Sequence, residues 1–250
     1  MRGFFVAGTD TGVGKTEVAR ALLGLLRGAV PLKPVETGCE PDAPDDALAL
    51  REAAGGKLDL DRVCPYRFRL PAAPLVAAEA EDRTVSIERI EQLVARAAPH
   101  PVVVEAAGGL LVPLAREVAA RSLEQADPSE RAPAQQLVTN LDLAERLGLP
   151  VVLVGRAGLG TLNHCALSAQ ALERRGVDLA AIVLNRVSPE DDPTVATNPR
   201  MLEELTGARV LGPLPFVPDP AARPAALGRA LAGLVDTSGT RRYGAPPLNE

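Results

Sequence analysis

Between strand-like and helix-like segments near the N-terminus the chain reads Gly8-Thr9-Asp10-Thr11-Gly12-Val13-Gly14-Lys15-Thr16. Glycines at this spacing let successive backbone N–H groups point inward at phosphate oxygens, and a following helix adds the partial positive charge of its N-terminus. Lys15 would then reach the terminal phosphates, and the Thr16 hydroxyl would ligate Mg²⁺. Gly12, Val13, Gly14, Lys15, Thr16 and the next residue, Glu17, form the expected nucleotide contact. The strict pattern G-x-x-x-x-G-K-[ST] is not met, because Thr9 stands where its first glycine belongs and Gly8 comes one residue early. The alternative is an ordinary glycine-rich turn between a strand and a helix.

A nucleotide-bound Mg²⁺ needs hard oxygen ligands, usually a loop hydroxyl and a carboxylate near the end of a neighbouring strand. Glu105 fits that place: it closes the run Val102-Val103-Val104 and precedes Ala106-Ala107-Gly108-Gly109, whose small residues let the backbone approach a ligand. A surface salt-bridge glutamate is the plainer reading. The pair Asp45-Asp46 either caps a helix or supplies a second carboxylate for Mg²⁺. Lys33, in Lys33-Pro34-Val35-Glu36-Thr37-Gly38, is either solvated or a second cation beside Lys15, able to neutralise charge on an anionic intermediate. Gly158-Leu159-Gly160-Thr161-Leu162-Asn163-His164 starts a helix whose N–H groups could hold a carboxylate, with Thr161 as the alternative plain N-cap. Asn185 either meets an adenine edge or ends a strand. His100 and His164 have no nucleophile or carboxylate placed by sequence to complete a triad.

These residues need a scaffold that brings distant segments to one edge. Short apolar runs at Gly3–Ala7, Val30–Val35, Val102–Glu105, Val151–Val154, Ala181–Asn185 and Val210–Leu214 predict buried strands. Helices are expected at Lys15–Leu26, Asp45–Ala54, Ser86–Ala98, Thr139–Leu147, Thr161–Arg175 and Pro199–Leu205, with Ser86 as an N-cap and Gly148 and Gly176 as terminators. Strands apolar on both faces, joined by long crossovers, predict an α/β fold: a P-loop-type parallel sheet with helices on both faces, in three layers. Ligands bind beyond the carboxyl ends of such strands, where Gly8, Lys33 and Glu105 would meet. One domain is expected over residues 1–235, with 236–250 a frayed tail and 116–136 a surface insertion or lid.

Composition narrows the function. At 250 residues and 46% hydrophobic the chain can bury one sizeable core. The net charge of −5, scattered basic residues and only 2% aromatics argue against nucleic acid. No apolar stretch reaches the roughly 20 residues a bilayer span needs, and Asp10 and Lys15 interrupt the one export-like start. Three separated cysteines suggest neither a disulfide framework nor a zinc site. The expectation is cytoplasmic, ATP-using small-molecule chemistry away from membranes.

In these segments the chain resembles the dethiobiotin synthetases. The resemblance runs over most of the chain and rests on Gly8 to Thr16, Lys33 to Gly38, Asp46-Ala47-Leu48, Glu105 with its glycine run, and Val112-Pro113-Leu114. Further along it includes Leu149 to Val154, Gly160 to His164, Asn185-Arg186 and Gly212-Pro213-Leu214-Pro215. The family's phosphate loop is one residue longer, with Thr after its first Gly, which accounts for the failed strict pattern. The resemblance implies a homodimer that carboxylates 7,8-diaminopelargonate with CO₂, phosphorylates the carbamate with ATP and closes a cyclic urea. It implies catalytic roles for Thr11, Lys15 and Lys33, and substrate contacts from Thr37. Gly160, Leu162 and Asn163 would hold the substrate carboxylate across the dimer. Mg²⁺ would bind Thr16, Asp46 and Glu105. ATP would also contact Ala106, Ala107, Gly108, Asn185, Pro213, Pro215 and Asp219. The chain departs from the family pattern at Ala106, at Leu75 and in the length of 116–136.

Two other readings compete. Partition and septum-site switch ATPases share the predicted sheet but carry lysine where this chain has Asp10. Amidotransferase-linked synthases carry a further glutaminase domain, for which 250 residues leave no room.

Overall fold

The computed structural model describes residues 2–118 and 135–235. Its strands are β1 (Gly3–Gly8), β2 (Val30–Leu32), β3 (Val35–Thr37), β4 (Tyr66–Phe68), β5 (Val102–Gly109), β6 (Pro113–Val118), β7 (Gln135–Thr139), β8 (Val151–Arg156), β9 (Leu179–Asn185) and β10 (Val210–Leu214). The α-helices are α1 (Lys15–Leu25), α2 (Asp45–Ala53), α3 (Leu60–Val63), α4 (Pro74–Ala80), α5 (Ile87–Arg96), α6 (Asn140–Leu147), α7 (Thr161–Arg174), α8 (Asn198–Thr206) and α9 (Arg223–Leu231). Six strands make one sheet in the order β10-β9-β8-β1-β5-β2, every neighbouring pair parallel.

Alternation along β1 produces the layers. Phe4 and Val6 face a core built with Val18 and Leu22 of α1, Leu50 of α2 and Leu227 and Leu231 of α9. Phe5 and Ala7 face the opposite core, with Ile90 and Val94 of α5, Leu143 of α6 and Leu172 of α7. Successive strand side chains point to opposite faces, so an all-apolar strand is stable only when helices cover both. The predicted three-layer parallel α/β fold is therefore observed. Phe5 is fully buried at its centre, and truncating such a residue to alanine costs about 3–5 kcal/mol.

Every predicted strand and helix is present, with informative differences. The run Val30–Val35 divides into β2 and β3. The β2–β5 ladder ends at Leu32 opposite Val104, the Lys33 N–H donates instead to the Val63 carbonyl at 2.7 Å, and Pro34 has no N–H to give. β3 then pairs with β4 in a separate two-stranded sheet. β5 continues past Glu105 to Gly109. Thr161 is not the N-cap of α7. That position belongs to Gly160 in the left-handed region, while the Thr161 hydroxyl lies 3.3 Å from the Cys165 sulfur. Ser86 caps α5 as expected. The expected insertion at 116–136 begins and ends in the antiparallel pair β6–β7; its residues 119–134, like the tail 236–250, lie outside the described residues.

Candidate active site

β1 runs directly into the glycine loop and α1, so the loop sits at the carboxyl edge of the sheet's central strand. Gly14 takes φ 93°, and a Cβ there would lie 2.1 Å from the Asn185 side-chain nitrogen, so both backbone and space demand glycine. That nitrogen donates to the Val13 carbonyl at 3.0 Å, tying the loop to the end of β9. The Asp10 carboxylate accepts the Thr11 N–H at 2.7 Å, and Lys15 Nζ folds back to donate to the Asp10 carbonyl at 2.9 Å. α1 opens with no side-chain cap, which leaves its first N–H groups for a ligand.

Beside the loop, two carboxylates, a lysine and a hydroxyl converge. The Thr16 hydroxyl lies 2.8 Å from Asp46 Oδ1 and 2.9 Å from Glu105 Oε1. Lys33 Nζ donates to Asp46 Oδ2 at 2.7 Å and to Glu105 Oε1 at 2.5 Å. Glu105 is 0% exposed and Lys33 3%, so neither is a surface salt-bridge residue nor a solvated lysine. Asp45, by contrast, is exposed, and neither aspartate caps α2. The N–H groups of Asp46 and Ala47 are accepted by the Glu36 carboxylate, at 3.1 and 2.9 Å.

The electrostatics follow from these contacts. Burial alone would lower the pKa of Lys33, but Glu105 and Asp46 hold it above the usual lysine range. Lys15 is lowered by its burial and by the nearby charge of Lys33. Burial raises Glu105, with Lys33 opposing, whereas Asp46 is held below the usual aspartate value, its partial burial outweighed by Lys33 and Thr16. Glu105 Oε2 is buried without a hydrogen-bond partner among the described residues. Two carboxylate oxygens gathered on the Thr16 hydroxyl, with one further carboxylate oxygen buried and unused, suit a small divalent cation such as Mg²⁺.

All of these groups line one cavity of about 870 Å³, within the range of small-molecule sites. Thr11, Gly12, Gly14, Lys15, Thr16, Glu17, Lys33, Thr37, Asp46, Glu105, Ala107 and Gly108 all contribute to it. Glu36 and the wall Pro71-Ala72-Ala73, which runs into the Pro74 of the family-like segment 74–78, also line the cavity with no role legible in the sequence; the two prolines flanking alanines were the available signal for the wall. Val13 and Ala106 are buried in the two cores and do not line the cavity, and neither does the buried Leu75.

The remaining expected residues stand apart from the cavity. Asn185 is held at the back of the loop, and the exposed Pro213, Pro215 and Asp219 lie on and after β10. Arg223 donates to the carbonyls of Val217 and Pro218 and sits 3.6 Å from Glu17, which links that segment to the first turn of α1. Gly160 and Asn163 are exposed at the start of α7 and Leu162 is half-buried. The Leu159 N–H just before them is accepted by Asp192 at 2.7 Å, and Asn198 donates to the carbonyls of Ala157 and Gly158. Neither His100 nor His164 lines the cavity.

The chain matches the family model described as an AAA domain over residues 2–123 and 123–223. It is 51% identical to the ATP-dependent dethiobiotin synthetase BioD of Anaeromyxobacter dehalogenans strain 2CP-C, covering 94% of this chain and 99% of that protein. It is 42% identical to the protein of the same name from Haloferax mediterranei, over 83% of this chain and 81% of that one. The same name is carried by a Bacillus subtilis strain 168 relative at 35% identity, covering 86% and 87%. Among solved structures, a ParA family ATPase from Chlorobium tepidum TLS aligns with 92% of this chain and 90% of its own, at 14% identity and a TM-score of 0.49.

Proposed function

Because the chain belongs to the dethiobiotin synthetase family, we propose that it carboxylates 7,8-diaminopelargonate with CO₂ and closes the product to dethiobiotin, with ATP as co-substrate and Mg²⁺ as the metal. At the coarser level it is an ATP-dependent ligase of biotin biosynthesis. The observation that carries the finer reading is the convergence of Thr16, Lys33, Asp46 and Glu105 beside the glycine loop and in one cavity with Thr37.

In the proposed sequence one amine takes up CO₂ as a carbamate and loses a proton. A carbamate oxygen attacks the γ-phosphorus of ATP and ADP leaves. The second amine then attacks the carbon of the carbamic–phosphoric anhydride, which closes the ring and expels phosphate. Lys33, kept protonated by Glu105 and Asp46, serves as a fixed positive charge for the carbamate and not as a base. Lys15 faces the transferred phosphoryl group, with Thr11 beside it. The first amides of α1 and of the glycine loop bind phosphate oxygens. Thr37 holds the reacting end of the diamine, and the backbone at Ala107 and Gly108 is assigned to the nucleotide. Thr16, Asp46 and Glu105 would hold Mg²⁺, which when bound would neutralise charge on the triphosphate.

The adenosine is assigned to Asn185, Pro213, Pro215 and Asp219. Gly160, Leu162 and Asn163 are assigned to the substrate carboxylate in the cavity of a second copy, which makes the working unit a homodimer. That assignment agrees with their separation from the cavity of their own chain. The proposed location is the cytoplasm; among the described residues no helix is long and apolar enough to cross a membrane. Purified protein should form ADP only when the diamine, CO₂ and Mg²⁺ are all present, with dethiobiotin found by mass spectrometry. Steady ATP hydrolysis without the diamine, or no dethiobiotin, overturns the reading.

A further inference from the structure

α2 begins in an unusual way. Its N-cap is Pro44, which has no side-chain acceptor, and neither Asp45 nor Asp46 turns back to serve the first amides. The acceptor comes from β3 instead. Glu36, 6% exposed, receives the Asp46 N–H on Oε1 at 3.1 Å and the Ala47 N–H on Oε2 at 2.9 Å. Those are the second and third residues of the helix, the positions an N-cap side chain normally serves.

Two oxygens of one planar carboxylate on two consecutive amides fix both the position and the rotation of the helix start. One of those amides belongs to Asp46 itself, so the peptide that carries the carboxylate is held directly. The Asp46 side chain is left free for Thr16 and Lys33, at 2.8 and 2.7 Å. Glu36 also follows Lys33 by three residues, across the break at Pro34. A single short segment therefore carries Lys33 and the group that sets its partner.

We infer that Glu36 is a positioning residue that aims the Asp46 carboxylate at the metal site and at Lys33. This rests on the reading of Asp46 as a metal ligand given above. Groups that orient a ligand from behind contribute to affinity although they never touch the ion.

The test reads binding without turnover. Mn²⁺ is titrated by electron paramagnetic resonance into full-length protein holding a non-hydrolysable ATP analogue, and melting temperatures are recorded beside it. Glu36→Ala should weaken Mn²⁺ binding about tenfold. Glu36→Gln keeps one carbonyl oxygen for the Ala47 amide but opposes an NH₂ to the Asp46 amide, so it should fall between, about threefold weaker than the parent. Should the alanine variant not fold, the threefold loss in the glutamine variant carries the test. Wild-type Mn²⁺ affinity in the folded variants, with only the melting temperature lowered, overturns the inference in favour of simple capping. Asp46→Ala separates the two claims. If it loses at least tenfold while Glu36→Ala loses nothing, the role of Glu36 fails alone; if Asp46→Ala loses nothing, the ligand reading fails and takes the inference with it.

Discussion

Helix α6 begins on Thr139, whose hydroxyl accepts the Asp142 N–H at 3.4 Å while the Asp142 carboxylate accepts the N–H of Thr139 at 2.7 Å. Helix α1 begins on Gly14 at φ 93° with no side-chain acceptor. Both starts carry amides that no intrahelical carbonyl can reach. In α6 the Thr139 hydroxyl takes the Asp142 amide, and the carbonyls of Val112 and Leu110 take those of Asn140 and Leu141 at 3.2 and 2.8 Å, so the helix is closed to ligands. In α1 they are left facing a cavity that also holds two lysines and five carboxylates, Asp46 and Glu105 among them. α7 opens as α1 does, on Gly160 at φ 90° without a cap, yet outside that cavity. The contrast teaches that a helix opening on a left-handed glycine keeps amides that its own side chains do not cap, whereas a capping box spends them on the fold.

The contrast breaks most decisively at the cations that complete the α1 site. Lys33→Ala should lower turnover about 10²–10³-fold while nucleotide still binds; single-turnover ADP formation and nucleotide titration read the two separately. Normal turnover would refute the assigned role. The two glycines come next. Gly14→Ala brings a Cβ to 2.1 Å from Asn185, whereas a Cβ at Gly160 would stand 4.0 Å from its nearest neighbour, on His164. The first should abolish measurable nucleotide binding. The second should cost only the backbone penalty of about 1–2 kcal/mol in chemical denaturation, with nucleotide affinity unchanged. Equal effects on nucleotide affinity would erase the distinction between the two starts.

Asp192→Ala tests whether α7 serves the other substrate. Releasing the Leu159 amide should raise KM for the diamine in steady-state assays and leave KM for ATP where it was. The smallest effect belongs to α6. Partial burial works to raise the pKa of Asp142, but Thr139 and Arg175 hold it below the usual aspartate value. The stabilisation is therefore present above the unfolded value near 4 and disappears as pH falls through the lower folded value. Because its ionic partner Arg175 is exposed and an asparagine keeps one oxygen for the Thr139 amide, Asp142→Asn should cost about 1 kcal/mol at neutral pH. Urea melts of parent and variant should coincide in strong acid, with turnover at neutral pH unaffected.

Much of this was legible in the sequence because the relevant signals are local. Apolar runs such as Val102 to Val104 announce buried strands wherever they fall, and a glycine loop ending in Lys15-Thr16 announces an anion site by itself. Glu105 was placed by its position after such a run. What was not legible depends on partners far away in the chain. By residue type and spacing Asp45 and Asp46 are equivalent, and only the resemblance singled out Asp46; the Glu36 carboxylate that holds the helix start comes from β3, outside the helix. The division of Val30–Val35 needed the Val63 carbonyl as a competing acceptor for Lys33. β6 and β7 pair across an intervening segment with no tight-turn signature to announce them. Thr161 has the residue type of an N-cap, but the left-handed Gly160 before it shifts the helix start by one.

The Asn185 amide on the Val13 carbonyl joins the phosphate loop to a strand two places away in the sheet. The loop's shape is thus set when the sheet folds. The entropy of ordering it is lost once, at folding, and not again at each encounter with nucleotide. Nucleotide should accordingly associate with a ready-made receptor, at a rate governed by diffusion and charge with no loop closure to wait for.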